Sequence, residues 1–188
     1  NHARGVICAA LTEDRIRDLG LPLMTSLTFT GAPNLTVSVE ARQGVTTGIS
    51  AADRARTLST LATSLDAKMD LVMPGHIFPV LAKDGGVLVR HGIPEASIDL
   101  LRLSNSSLVA AFSHCLNAVG ELASFEEISV LAKAYSLPLV SVSDIIRYRL
   151  ATEQIIEHIA EAELPTEVAG RFRAHVFRSK IDGSEHLA

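Results

Sequence analysis

Apolar and polar positions follow two different periods along the first 150 residues, with Gly and Pro marking the changes between them. The continuous run Gly5 to Leu11 (GVICAAL) predicts a buried strand, and the polar turn beginning at Thr12 predicts a helix that stops near Gly20. Leu35 to Glu40 (LTVSVE) alternates in the manner of a half-buried strand. Ser50, with Asp53 three positions on, predicts a capped helix through about Thr63, its hydroxyl serving an orphan N–H and its carboxylate the positive helix end. Pro74 to Arg90 carries two apolar runs split by the turn Asp84-Gly85-Gly86, and Pro94-Glu95-Ala96 opens a helix through Leu103. Leu108 to Phe112 reads as a further buried strand. Ser124 and Glu127 form a capping box before a helix ending near Tyr135, Leu139 to Val142 returns as a strand, and Ser143-Asp144 starts the next helix. From about Arg147 to Glu163 the spacing of Glu and Ile is helical, and Leu164-Pro165-Thr166 ends it. The last 25 residues predict two short strands around Asp182-Gly183, a hairpin too small to fold alone.

Composition narrows the function classes. The 188 residues are 47% hydrophobic, enough for one sizeable core, and no apolar run approaches the roughly 18 residues that cross a bilayer. Seventeen basic and 21 acidic residues give a net charge of −4 without a block of like charge, which argues against a nucleic-acid or polybasic membrane surface. Cys8 and Cys115 each sit in an apolar run with no C-x-x-C spacing and read as buried free thiols of a cytoplasmic protein. Small-molecule chemistry is the class left open. With no Trp and eight other aromatic residues, the core falls to Ala, Val, Leu and Ile, as in helix-covered sheets.

Candidate chemistry concentrates at turns. Gly44 to Arg54 (GVTTGISAADR) sets the Thr46 and Thr47 hydroxyls and two glycines before a helix N-terminus, where free N–H groups favour a phosphate or carboxylate; the same residues also make a simple glycine-rich cap. His76, His91 and His114 lie at turns or strand ends, positions that suit general bases and metal ligands as well as backbone-bonded histidines. Arg90 suits bidentate phosphate binding or an ordinary surface role, and Glu95 suits the first turn of a helix.

Several segments together resemble the 3,4-dihydroxy-2-butanone 4-phosphate synthase family of riboflavin biosynthesis. They are LTEDR at Leu11 to Arg15 with LPLM at Leu21 to Met24, GVTTGISAADR, PGHIFPVLAKDGGVLVR from Pro74, PEASIDL from Pro94 and LVSVSD from Leu139. The resemblance runs in order over about 145 residues. It implies an α+β fold, a mixed sheet covered by helices, and a Mg²⁺-dependent homodimer that converts ribulose 5-phosphate to formate and the four-carbon phosphate. It also implies that Thr46, Thr47 and Glu95 bind substrate, that His76 contacts substrate or moves protons, that Arg90 holds the phosphate and that Cys8 lines the pocket.

Three departures bear on activity. The family's acidic D-x-R-E-N-E-G-D loop, a source of metal and acid–base carboxylates, lies before the first residue here. The motif R-x-G-H-T-E becomes Arg90-His91-Gly92-Ile93-Pro94-Glu95, so Ile93 takes the place of the metal-binding histidine and His91 is the nearest substitute. His114 occupies the position of a catalytic glutamate. Beyond the family segment, Leu164 to Ala188 resembles the opening strands of a GTP cyclohydrolase II domain, as in bifunctional riboflavin enzymes. The expected organisation is a synthase-like domain over residues 1–147, a helical connector over 148–163 and the opening of a second domain over 164–188. Two functions follow from the resemblance: a lyase impaired in this chain, or a silent dimerisation module attached to a cyclohydrolase.

Overall fold

A computed structural model describes residues 2–24, 34–166 and 170–188. In chain order the elements are β1 (Arg4–Leu11), α1 (Glu13–Asp18), β2 (Val39–Ala41), α2 (Ala51–Thr63), α3 (Ala67–Asp70), β3 (Leu71–Leu81), α4 (Ile93–Leu103), β4 (Val109–Cys115), α5 (Phe125–Ala134), α6 (Val142–Thr152), β5 (Ile156–Thr166), β6 (Gly170–Ser179) and β7 (Glu185–Leu187). A four-stranded mixed sheet runs β2-β3-β1-β4, in which β1 and β3 are parallel and the other pairs antiparallel. Strands β5, β6 and β7 make a second, antiparallel sheet. This is the α+β architecture expected.

At its C-terminal end, Ala9 to Leu11, both faces of β1 are covered, as the apolar run there requires. Ala9 and Leu11 join Ile16, Leu19, Val39, Leu61 and Ile77 in the main core between the sheet and the helices α1 and α2. On the opposite face Ala10 packs with Ala82, Ala110 and Ile98 of α4. Helix α2 starts where Ser50 accepts the Asp53 N–H, and its far end is closed by Arg15, which donates to the Leu61 and Ser64 carbonyls at 2.8 to 2.9 Å. A cation at a helix C-terminus satisfies carbonyls left over by the helix geometry and complements its dipole.

Three predicted elements take another form. Of Leu35 to Glu40, Leu35 and Thr36 form only isolated bridges, and the strand is the shorter Val39–Ala41. Leu139 to Val142 is not a strand: Ser141 and Asp144 form a capping box, so Val142 is already the first residue of α6. The connector expected to be helical over 148–163 is helical only to Thr152, and Ile156–Thr166 is a strand paired with β6 along its length. Glu and Ala favour a helix locally, but the β-branched Ile155, Ile156 and Ile159 beside a long partner strand reverse that preference. The terminal hairpin thereby gains the third strand it needs. Residues 167–169, within the stretch likened to a cyclohydrolase, lie outside the described residues.

Candidate active site

One face of the mixed sheet is only half covered by α4, and the uncovered half forms a cavity of about 490 Å³. Val6 and Cys8 of β1, Phe78 and Val80 of β3, and Phe112 and His114 of β4 supply its floor, while Ile93 and Pro94 at the start of α4 form a wall. The strand register explains the set: Cys8 lies opposite both Phe78 and Phe112, and every second residue from these points to the same face.

His76 continues the β3 row two residues before Phe78. Between the pairs Glu40·Val72 and Val39·Ile77 the ladder slips, and the residues from Met73 to His76 bulge out of β3. The bulge delivers the His76 ring to the Glu40 carboxylate, with Nδ1 2.7 Å from Oε2. Gly48 closes this corner. Its φ of +76° is in the glycine-favouring region, and a Cβ there would fall 2.1 Å from Glu40 Oε1. Glu40 is therefore a site residue that the sequence reading missed. Its only signal was its place at the end of the LTVSVE strand.

The turn before α2 is organised differently from an open anion cradle. Thr46 Oγ1 donates to Asp53 at 2.9 Å and the Gly48 N–H donates to the same oxygen at 3.1 Å. Burial pushes the Asp53 carboxyl up, but the hydrogen bonds from Thr46, Ser50 and Gly48 outweigh it and hold the group below the usual carboxylate range. Two of the donors expected to meet a phosphate thus serve the helix's own carboxylate. Thr47 stays exposed.

Arg90 and Glu95 pair with each other. Glu95 is fully buried; its Oε1 accepts the Lys83 N–H at 2.7 Å and pairs with Arg90 Nη2 at 2.7 Å, while its Oε2 has no hydrogen-bond partner among the described residues. Arg90 turns a single nitrogen, Nη2, to both Glu95 and the Leu81 carbonyl, and its side chain stays about one-third exposed. Replacing Arg90 with Ala should lower stability by about 1.5–3 kcal/mol, the worth of a charge-assisted hydrogen bond to a buried partner. Thermal unfolding checks this, and an unchanged midpoint would return Arg90 to the surface role.

His91 is exposed and outside the cavity lining. The Gly92 N–H bonds back to the Arg90 carbonyl at 2.8 Å, so the chain turns tightly there instead of extending, and His91 cannot stand in for the residue at 93. Both cysteines are half-buried, not fully buried. Burial nevertheless pushes the Cys8 thiol up, which keeps it in the neutral form.

Mg²⁺ requires hard oxygen ligands in near-octahedral array. The lining of the cavity offers one thiol, one imidazole and carbon. These residues do not fit Mg²⁺.

Fold and site together define an α+β domain with a one-sided cleft on its mixed sheet, sized for a small molecule. Residues 1–148 match the sequence profile of 3,4-dihydroxy-2-butanone 4-phosphate synthase, and the chain belongs to that family. A 3,4-dihydroxy-2-butanone 4-phosphate synthase of Pseudomonas aeruginosa is 41% identical over 188 residues, covering all of this chain and 51% of the relative. The riboflavin biosynthesis protein RibBA of Synechocystis is 42% identical over 189 residues, covering 99% of this chain and 34% of its own length. Among solved structures, RibBX, a two-domain 3,4-dihydroxy-2-butanone 4-phosphate synthase from A. baumannii, superposes with a TM-score of 0.89 at 34% identity, covering the whole chain and 55% of that protein. A synthase in complex with two magnesium ions gives 0.75 at 33% identity, with 80% of this chain and 76% of that one covered. The chain spans about half the length of several of the curated synthases it matches. No helix among the described residues is long and apolar enough to cross a membrane.

Proposed function

We propose that this chain serves cytoplasmic riboflavin biosynthesis as a synthase-family domain whose own lyase chemistry, ribulose 5-phosphate to formate and 3,4-dihydroxy-2-butanone 4-phosphate, is impaired. The observation that carries this reading is the cavity itself. Ile93 and His114 stand where the family resemblance implies a metal-binding histidine and a catalytic glutamate, and nearly all of the surrounding surface is carbon. A carbon-lined pocket neither holds a divalent ion nor stabilises the charge that develops on an enediol. What remains for substrate are groups outside the lining: the exposed Thr47, and His76 oriented by Glu40. Such groups bind a sugar phosphate weakly and without a metal. Calorimetry of ribulose 5-phosphate binding should give the same affinity in EDTA as in excess Mg²⁺, and an affinity that collapses in EDTA would overturn the reading.

A second reading is a silent homodimerisation module attached to a GTP cyclohydrolase II domain, no part of which lies in the β5–β7 sheet: a synthase of Pseudomonas aeruginosa already covers this chain over its whole length. Large apolar side chains exposed on and beside α5, namely Val119, Leu122, Phe125 and Val130, favour it. Apolar patches of this kind mark association surfaces. Sedimentation at micromolar concentration should show a dimer, and a clean monomer would remove this second reading.

A further inference from the structure

The β5–β6 sheet carries a cluster unrelated to the cleft. His158 Nε2 lies 3.1 Å from His175 Nδ1, and His175 Nδ1 lies 3.6 Å from Glu161 Oε2. One ligand atom from each of the three residues falls within 4.8 Å of the others. In a regular strand His158 and Glu161, three positions apart, would point to opposite faces. The ladder slips between His158 and Ala160, and this bulge places the extra residue that returns His158 to the face of Glu161. Glu161 sits directly across from His175, and His158 across from Phe177, so all three polar side chains converge on one surface.

We propose that His158, Glu161 and His175 form a binding site for Zn²⁺. Two imidazoles and one carboxylate are donors that suit zinc and do not suit Mg²⁺. Tetrahedral zinc with bonds of about 2.0–2.1 Å holds its ligand atoms about 3.3 Å apart, a spacing that the 3.1 and 3.6 Å separations bracket. The surroundings orient the ligands. Arg173 Nε takes the other carboxylate oxygen of Glu161 at 3.2 Å, leaving Oε2 turned toward His175, and the Phe177 ring packs 5.1 Å from that of His158. Partners of this kind fix ligand orientation in metal sites. All three ligands are accessible to solvent, and three protein ligands leave the fourth position to water. His186 lies across from Phe177 and is bonded to Ser184, outside the cluster.

Titration calorimetry of the whole chain with ZnCl₂ tests the assignment. The expected result is one saturable equivalent, undisturbed by millimolar Mg²⁺, with affinity reduced at least tenfold in His158→Ala and in His175→Ala, reduced in Glu161→Gln, and unchanged in His186→Ala. Circular dichroism should report the same fold for each variant, since the altered side chains reach solvent. X-ray absorption of the wild-type zinc complex gives a reading that needs no variant: two imidazole nitrogens support the site, and a sulfur neighbour from Cys8 or Cys115 overturns it. Absence of saturable binding, or equal binding in His158→Ala and His175→Ala, also overturns it.

Discussion

Supplied with ribulose 5-phosphate and excess Mg²⁺, this chain should release formate at least about a thousandfold more slowly than the 1–10³ s⁻¹ of ordinary enzymes. Metal polarisation of a carbonyl contributes several kcal/mol of transition-state stabilisation, and each 1.36 kcal/mol is a tenfold change in rate. Among the described residues lining the cavity that contribution has no source: Ile93 offers no lone pair, and the His114 imidazole carries no negative charge to stand in for a carboxylate. The His76–Glu40 pair can still accept and hand on a proton. General acid–base help alone is worth only about 10²–10⁴-fold, far short of what the skeletal rearrangement needs. A coupled assay for formate decides the matter, and turnover at an ordinary rate would show that residues outside those described complete the site.

Removing the carboxylate of Asp99 should lower stability by about 3–5 kcal/mol, the usual result of stripping one partner from a buried ion pair. Asp99 is 1% exposed and accepts from the Val87 N–H at 2.8 Å, Arg149 Nη1 at 2.8 Å and Arg102 Nη1 at 3.0 Å. In Asp99→Ala the Arg149 guanidinium stays in the interior with only Glu153 and the Gly85 carbonyl to answer its charge. For a chain of this size the unfolding temperature should fall by roughly 6–20 °C. A shift below about 2 °C would mean that the guanidinium finds water without cost. Asp99→Asn, which keeps the shape and one acceptor, should lie between the two.

Those elements of the fold that announce themselves locally were legible in the sequence. The strand β1, the Ser50 cap of α2 and the Ser124–Glu127 capping box each depend on residues within a few positions and stand where they were expected, although only Ala9 to Leu11 of β1 are buried. What escaped depends on partners far along the chain. Strand β5 is set by pairing with β6 against its own helical leanings. Glu40 becomes a site residue through a slip in the β2–β3 ladder, 36 positions from His76. The burial of Glu95 against Arg90 was hidden because a first-turn helix carboxylate reads as solvent-facing. The cleft was legible at Cys8, Ile93 and His114, yet nothing local told that Thr46 would be tied to Asp53.

Arg149 also bears on where the family domain stops. The family match ends at residue 148 and the expected boundary fell at 147, both inside α6, whereas Arg149 joins the turn at Gly85, the middle of α4 and the end of α6 through a single guanidinium. During synthesis, the earlier segments can assemble around β1 and β3, but Asp99 has only the half-exposed Arg102 as counter-charge until residue 149 has left the ribosome. The working unit therefore extends to at least Glu153, and a truncation drawn at the end of the family match would yield a domain missing its own clasp.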